Sequence, residues 1–520
     1  MNTSKKTFYY FSAILFFASF SCYFIFGMID YSKSHILIAL FWMTGFAVLT
    51  LNVCYMLVST LVACFSKPSY LQEQISESIP PTAIIYIVRN EHPEVLKTNL
   101  KQSLEKSADA NSDLWLLSNS DLDDYVEDEK NIIDALQQQY GKERVAYFQT
   151  YQNPLRRKHI CIQQWLSQYQ HYRYAIVCDA DSILPKGSLS QLVAKAEHPD
   201  NRDIVLFQSK INIAKGNTYF ARFLGHGQDI CQRIYAYANQ KVFGRGVSYG
   251  SGCLIRCAEF RTIDVPDWVL SHDIWDTVLL EEKGYRVVFC PDVVTYGSFP
   301  GNYIEYLKRS KRWIKGTLES FPVAMRKNIS PGTRFMVVYP VYMYSIQPLF
   351  LLWIFSGFFY NPKMWDSLFV VQKYAFLGGS LVDMEMGSHL FVTMSVVAGH
   401  RFVKCRNIQE IRSSVMELFA TVLLCLNNII FDSVTVVKWL LVRKKGLAWV
   451  SMKKDPNISL SLLEVAKVLW PVSLMGLICL LMGLFYNPLW CLAASPFLCS
   501  FILGIPIAYL TGKKAGSSIV

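Results

Sequence analysis

Hydrophobic and polar positions divide the chain into three stretches. Near the start, residues 8–28 and 36–64 are long apolar runs separated by a short polar turn. Each is long enough to cross the hydrocarbon core of a bilayer as a helix, which predicts a membrane hairpin over residues 1–65. A signal peptide is the rival for the first run. Against it, the run is long, no small-x-small cleavage site follows, and a second run comes at once. From residue 66 to about 300 no such run occurs. Short apolar segments at 83–88, 114–117, 145–148, 174–177, 204–208, 252–255 and 287–289 alternate there with helical stretches such as 94–106 and 122–140. That alternation predicts an α/β domain built on a parallel sheet.

Residues 301–333 are amphipathic and basic and predict interfacial helices, with the cations snorkelling. Apolar runs resume at 335–359, 374–397, 415–442, 465–484 and 489–510, so residues 334–520 read as a C-terminal membrane region. The run 415–442 contains Asn427, Asn428 and Asp432 and has basic residues on both flanks. A single crossing would break the charge rule, which favours a re-entrant or interfacial pair of half-helices. About six full spans plus this element are expected.

Composition agrees with the pattern. Of the 520 residues, 52 % are hydrophobic and only 18 % charged, too apolar for an ordinary soluble protein. The net charge of +11 gathers at the flanks of the apolar runs, as in Lys5-Lys6, Arg443-Lys444-Lys445 and Lys513-Lys514. It therefore reads as the positive-inside signal rather than as a nucleic-acid surface, and it puts the central domain on the cytoplasmic side. The 14 cysteines include no CxxC pair and read as small hydrophobes or reduced thiols.

The chemistry-bearing residues fall in the central stretch. Asp179-Ala180-Asp181 follows the apolar segment 174–177, so two carboxylates stand at the carboxyl end of a strand, where open α/β sheets bind ligands. They suit a hard divalent cation on a substrate phosphate, or simply an acidic turn. Arg89-Asn90-Glu91 and Ser118-Asn119-Ser120-Asp121 follow two other strands and read as nucleotide contacts or as turn and cap residues. Arg156-Arg157-Lys158-His159 is a basic cluster suited to a diphosphate or to solvent. Gly250-Ser251-Gly252 permits close backbone approach. Ser271-His272-Asp273 opens a helix with a carboxylate in its first turn, either a cap or a general base. Arg309-Ser310-Lys311-Arg312-Trp313 sits just ahead of the third long apolar run.

Taken in order, these motifs resemble those of family 2 membrane glycosyltransferases, and within them the bacterial glucosyltransferases of osmoregulated periplasmic glucan synthesis. The likeness runs from about residue 85 to 510. The resemblance implies a GT-A nucleotide-sugar domain over 66–300, inserted between α-helical transmembrane segments. It also implies a bacterial inner-membrane, multi-pass enzyme with a cytoplasmic catalytic domain. On this resemblance Asp273 is the catalytic base, and Asp181 with Asp179 holds Mg²⁺ or Mn²⁺. Glu91, Ser118, Lys158, Asp179, Gly252, Arg309, Arg312 and Trp313 bind substrate. The implied partners are a UDP-sugar donor, a glucan acceptor and the lipid bilayer. An acyl carrier protein or periplasmic glucan-processing proteins are family-level helpers, and nucleic acid is not a partner. The implied reaction is inverting transfer of glucose from UDP-glucose to a β-glucan, β-1,2-linked, with export. Asn427, Asn428 and Asp432 are candidates for polar walls of the export path.

Alternatives at this stage are another processive polysaccharide synthase, a transferase acting on a lipid carrier, and a transporter with a regulatory central domain. The chain also departs from the family pattern. Only Asn90 and Glu91 remain of the usual first-strand motif, Asn119 stands where relatives carry Asp, and Lys158-His159-Ile160-Cys161 replaces Lys-Ser-Gly-Asn. Whether Asn119 or Asp121 contacts uridine is left open by the motif.

Overall fold

The computed structural model describes residues 3–27, 36–67, 70–74, 78–106, 112–214, 216–356, 372–376, 380–384, 395–403, 405–442, 460–486 and 488–515. The chain divides into two compact units, one of residues 67–345 and 435–459, the other of residues 1–66, 346–434 and 460–520.

The first unit is built on a seven-stranded sheet. Its strands are β1 (Thr82–Val88), β2 (Ser112–Ser118), β3 (Val145–Gln149), β4 (Tyr174–Asp179), β5 (Ile204–Ile213), β6 (Cys253–Arg256) and β7 (Arg286–Gly297). They lie in the order β3-β2-β1-β4-β6-β5-β7. β1 is buried along its whole length, because its sequence TAIIYIV is apolar on both faces, as a central parallel strand requires. One layer of core packs Leu96, Leu100, Ile132, Ile133, Leu189 and Leu192 of the flanking helices onto one face of the sheet. The other face carries Trp165, Trp275, Val278 and Leu280.

The expected strands are present, but the sheet is mixed. β6 runs antiparallel to both β4 and β5. Its connection from β5, through the helices Tyr219–Cys231 and Tyr237–Phe243, arrives at the carboxyl edge of the sheet instead of returning to the far edge. β5 and β7 are also longer than their apolar cores predict, extended through Lys210 and Asn212 and through Pro291-Asp292 by a register shift at Ser209/Lys210.

Strand order reverses between β1 and β4, which pair in register with Ile87 opposite Asp179. That reversal is where an open sheet leaves a crevice at its carboxyl edge. Because β6 is antiparallel, Gly250-Ser251-Gly252 at its start lands on the same edge, with Cys253 opposite Val177. The turn after β4 is tied to the end of β7 by paired backbone hydrogen bonds of 2.9 Å between Ile183 and Tyr296.

In the second unit, apolar helices Thr3–Gly27, Ile36–Phe65, Leu462–Tyr486 and Pro488–Thr511 cover the runs expected at both ends of the chain. Among the described residues, Met43–Phe65 and Leu462–Tyr486 are long and apolar enough to cross a membrane. Pro331–Ser345, the last helix of the first unit before residue 346, with Gln347–Trp353, and the two halves of Ile408–Val442, raise that number to four if each bent pair is one span. The halves of Ile408–Val442 meet at a bend of 56°.

Two expectations are corrected here. The run 374–397 is not a helix where it is described, but an antiparallel strand pair, Gln372–Phe376 with Ser380–Met384. Lys373, Gly378-Gly379, Asp383 and Glu385 break its apolar length below what a spanning helix needs. Its remainder lies outside the described residues. Asn427 is no polar wall: it is fully buried, and its Nδ2 donates to the Ser500 carbonyl at 2.5 Å. Gly504 packs so closely there that a Cβ would stand 2.7 Å from Asn427 Nδ2, so this amide clamps two helices together.

Gly252 shows how tightly the sheet edge is built. Its φ is +61°, and a Cβ there would lie 2.5 Å from Thr295 Oγ1 and 2.8 Å from Ser209 Oγ. Gly252→Ala is expected to cost about 2–4 kcal/mol, from left-handed strain and overpacking together. Thermal unfolding of the detergent-solubilised protein measures this, and an unchanged midpoint contradicts the packing described.

Candidate active site

Two structural hydroxyls shape the turn that ends β4. The Asp179 N–H donates to Ser182 Oγ at 3.0 Å and to Ser251 Oγ at 2.9 Å, and the two hydroxyls bond each other at 2.8 Å. The turn therefore locks onto the glycine-flanked Ser251 of the β6 approach. Asp181 is held from the other side, where the backbone N–H of Ser298 donates to it at 3.0 Å and the Ser298 hydroxyl also bonds it.

Lys158 opens the helix Lys158–Gln168. Its Nζ donates to Asp179 Oδ1 at 2.6 Å and to the Gly250 carbonyl at 2.5 Å. Burial alone lowers the ammonium's pKa, but the Asp179 carboxylate outweighs it and the net shift is upward. Lys158 is thus a fixed positive charge joining β4 to the β6 approach.

Ser271 precedes the helix His272–Glu282, which sets Asp273 in its first turn. Gly250, at φ +73°, faces this residue: a Cβ there would stand 3.5 Å from Asp273 Cβ. The amphipathic helix Tyr303–Glu319 begins at Asn302, whose side chain accepts from the Glu305 N–H at 3.0 Å. It comes against the Ser271 turn at Gly316, where a Cβ would lie 2.6 Å from Ser271 Cβ. Only glycine allows that approach. The Glu319 carboxylate adds a bond from the Leu270 N–H at 3.1 Å.

One helical turn before Gly316, Arg312 shares its face of the helix. Burial lowers the Arg312 pKa, and the carboxylates of Asp179, Asp273, Glu91 and Asp181 pull it back up. Carboxylates from three separate sequence motifs thus act on one guanidinium. Arg309 lies between Phe299 and Trp313, 4.2 Å and 4.4 Å from their ring centroids, with Tyr306 at 5.6 Å. Burial pushes its pKa down to about 10. Its guanidinium makes no hydrogen bond among the described residues, which leaves its N–H donors for an anion. Trp313 is 43 % exposed and offers a ring face at the open side.

The remaining expected residues fall elsewhere. Ser118 is fully buried; its hydroxyl accepts from the Ser120 N–H at 3.3 Å and also meets Glu129, so it faces inward rather than into the crevice. Gly252 is likewise interior, its carbonyl taking the Ser209 hydroxyl at 2.6 Å, and Gly250 is the glycine that faces Asp273. Asp121 is engaged by Asn90 Nδ2 at 2.7 Å and Arg89 at 3.2 Å. The polarity of Asn119 follows from a backbone group. The Arg157 N–H donates to Asn153 Oδ1 at 2.7 Å, so Asn153 Nδ2 is the donor to Asn119 Oδ1 at 3.1 Å. Asn119 then turns its Nδ2 the other way, where it is buried without a protein partner.

Sequence reading did not single out Ser182, Ser251 and Ser298, which hold the two aspartates, or Phe299 under Arg309. It also missed Gly316 and the pairing of His272 with Asp276. Only the last two had a usable signal, Gly316 four residues after Arg312 and an acid four residues after His272.

The donor set fits a hard divalent cation. Asp179 and Asp181 supply carboxylate oxygens at an open edge, and Asp179 keeps nearly half its side chain exposed. Among the described residues no cluster of three or more His, Cys, Asp or Glu forms a closed cage. Mg²⁺ or Mn²⁺ takes one or two carboxylates and completes its shell with phosphate oxygens and water, which these residues permit and a structural zinc site would not.

Residues 80–316 match the profile described as "Glycosyltransferase like family 2". Over 484 residues the chain is 24 % identical to the glucans biosynthesis glucosyltransferase H of Pseudomonas putida (strain W619), covering 84 % of this chain and 55 % of that one. The protein of the same name from Shewanella sp. (strain W3-18-1) is 22 % identical over 438 residues, covering 76 % of this chain and 58 % of that one. The chain therefore spans just over half the length of these curated relatives. In fold it is similar to the mannosyltransferase PcManGT from Pyrobaculum calidifontis, solved in complex with GDP-Man and Mn²⁺. The TM-score is 0.50 at 13 % identity, covering 77 % of this chain and 99 % of that one.

Behind the site, His159 is buried, and burial, with His272 and Arg157 adding to it, pushes its pKa down to about 3 from 6.5. The unfolded chain binds a proton near pH 6.5 that the folded domain refuses until about pH 3. The contribution is thus fully present above pH 6.5 and lost as pH falls through that window. At pH 5 the loss is about 2 kcal/mol. His159→Phe is expected to flatten the decline in stability between pH 7 and pH 5. Unfolding midpoints at the two pH values check this, and an equal decline in both proteins contradicts it.

Proposed function

We propose, from the premise that residues 80–316 form a family 2 glycosyltransferase domain, that the chain transfers glucose from UDP-glucose to a growing β-glucan. The observation that supports it most is the gathering of Asp179, Asp181, Glu91 and Asp273 around Arg312, with Lys158 and Arg309 beside them. Such an edge binds a nucleoside diphosphate at its cationic side and presents a carboxylate to an attacking hydroxyl. The likeness to relatives named glucans biosynthesis glucosyltransferase supports glucose and glucan as substrates.

In this reading the donor diphosphate lies along the carboxyl edge of β4. A divalent cation bound by Asp179 and Asp181 supplies Lewis-acid charge to the diphosphate. Arg312 and Arg309 give fixed positive charge to the departing UDP, in a half-buried setting where fixed charge acts more strongly than in water. Lys158 keeps the β4 turn and the β6 approach together, so both sides of the donor pocket hold still. Asp273 accepts the proton of the acceptor hydroxyl as its oxygen bonds to the anomeric carbon, with the bond to UDP breaking on the opposite face and the configuration inverting. Trp313 offers its ring to the acceptor sugar. The apolar helices seat the enzyme in the bacterial inner membrane with the catalytic domain cytoplasmic, and the glucan, β-1,2-linked, leaves across it.

Membranes containing the wild type are expected to incorporate radiolabelled glucose from UDP-glucose with Mg²⁺ or Mn²⁺ present. Asp273→Asn is expected to lower the rate at least about 100-fold, the usual span of a general base. Donor affinity should change little, because Asp273 belongs to the acceptor side. Full activity in Asp273→Asn would remove Asp273 from the mechanism. Linkage determination on the product then decides between β-1,2 and other glucans.

A further inference from the structure

Directly behind the proposed base lies a second pair of ionisable groups that the transfer step above does not use. His272 Nδ1 and Asp276 Oδ2 are 2.6 Å apart, one helical turn from each other, and both side chains are buried. Asp276 Oδ1 has no partner. The other imidazole nitrogen, His272 Nε2, is directed at the Gly250 turn: a Cβ on Gly250 would lie 3.8 Å from it and 3.7 Å from Asp273 Cγ. The Gly250 carbonyl in turn receives Lys158, which holds Asp179. His272 therefore lies between Asp276 and the Gly250 turn, which Lys158 holds and Asp273 faces.

A plain core histidine would not be built this way. A buried ion pair is commonly no more stable than an apolar pair of the same volume. The first turn of a helix is also the wrong end for a cation, since the N-terminal dipole repels it. Leaving Asp276 Oδ1 unsatisfied adds a further cost. These costs are borne one residue from Asp273.

We propose that the His272–Asp276 pair is a positioning device for Asp273, fixing the helix turn that bears the base. This rests on the reading of Asp273 as the base and deepens it. Several titratable or charged groups face His272 or its pair. Asp273 and Asp276 lie on its own helix, Lys158 and His159 on the helix Lys158–Gln168, and Cys253 on β6, while Arg312 of the helix Tyr303–Glu319 faces Asp273. Burial disfavours a charged imidazole, but Asp276, with help from Asp273, overrides it and raises the His272 pKa.

The test measures steady-state glucose transfer from UDP-glucose by the full-length protein in detergent. Wild type, His272→Gln, Asp276→Asn and Asp276→Glu are compared, with Asp273→Asn alongside. His272→Gln and Asp276→Asn are expected to lower kcat about tenfold while KM for UDP-glucose stays within about twofold. Asp276→Glu, which keeps the carboxylate, should restore kcat, and a residue needed only for packing would give no such rescue. The assignment is overturned if kcat is unchanged in both variants, if KM for UDP-glucose changes as much as kcat, or if Asp276→Glu behaves like Asp276→Asn. If one variant fails to fold, the other decides alone. Full activity in Asp273→Asn would instead overturn the base assignment itself, so the two failures are told apart.

Discussion

Charge compensation at the carboxyl edge of β4 is the constraint on which the rest depends. Four carboxylates face Arg312, and two of them are only two residues apart. Carboxylates that close repel one another in a half-buried crevice unless cations share the space. The fold brings the cations from distant parts of the chain. Lys158 comes from the start of a helix after β3, and Arg309 and Arg312 come from a helix beyond β7. Each needs its own close approach. The turn at Gly250 receives Lys158 and leaves room for Asp273. Gly316 lets the arginine helix touch the Ser271 turn. The chemistry and the topology are therefore one problem: an antiparallel β6 is what puts the glycine turn on the same edge as Asp179.

The same edge shows a division between groups that hold and groups that act. Ser182, Ser251 and Ser298 spend their hydrogen bonds on the two aspartates. Phe299 lies against the Arg309 guanidinium without neutralising it. This shell keeps the reactive side chains in place before a substrate arrives, which is the condition for electrostatic stabilisation without reorganisation. The His272–Asp276 pair extends that shell to the base.

Much of this was legible in the chain. β1 and β4 announce themselves as uninterrupted apolar runs, and the carboxylates follow them at the position where open sheets bind ligands. Asp273 and Arg312 could be named because helix starts and amphipathic periodicity are local signals. What could not be read was set by contacts distant in sequence. The direction of β6 depends on where a forty-residue helical connection ends, and nothing in CLIR itself tells parallel from antiparallel. Ser118 and Gly252 were placed at the site by sequence position, yet the fold turns the one toward Glu129 and packs the other against Ser209 and Thr295. The run 374–397 misled because apolar composition alone does not distinguish a span from strands once charges and glycines shorten it.

The central claim is that Asp179 and Asp181, backed by Arg312, form a nucleoside diphosphate site that depends on a divalent cation. Calorimetric titration of UDP into the solubilised protein, with Mn²⁺ and then with chelator, tests it most directly. The account predicts binding at least about tenfold tighter with Mn²⁺ in the wild type, and loss of that gain in Asp181→Ala. Equal UDP affinity with and without metal, unchanged in Asp181→Ala, would contradict it.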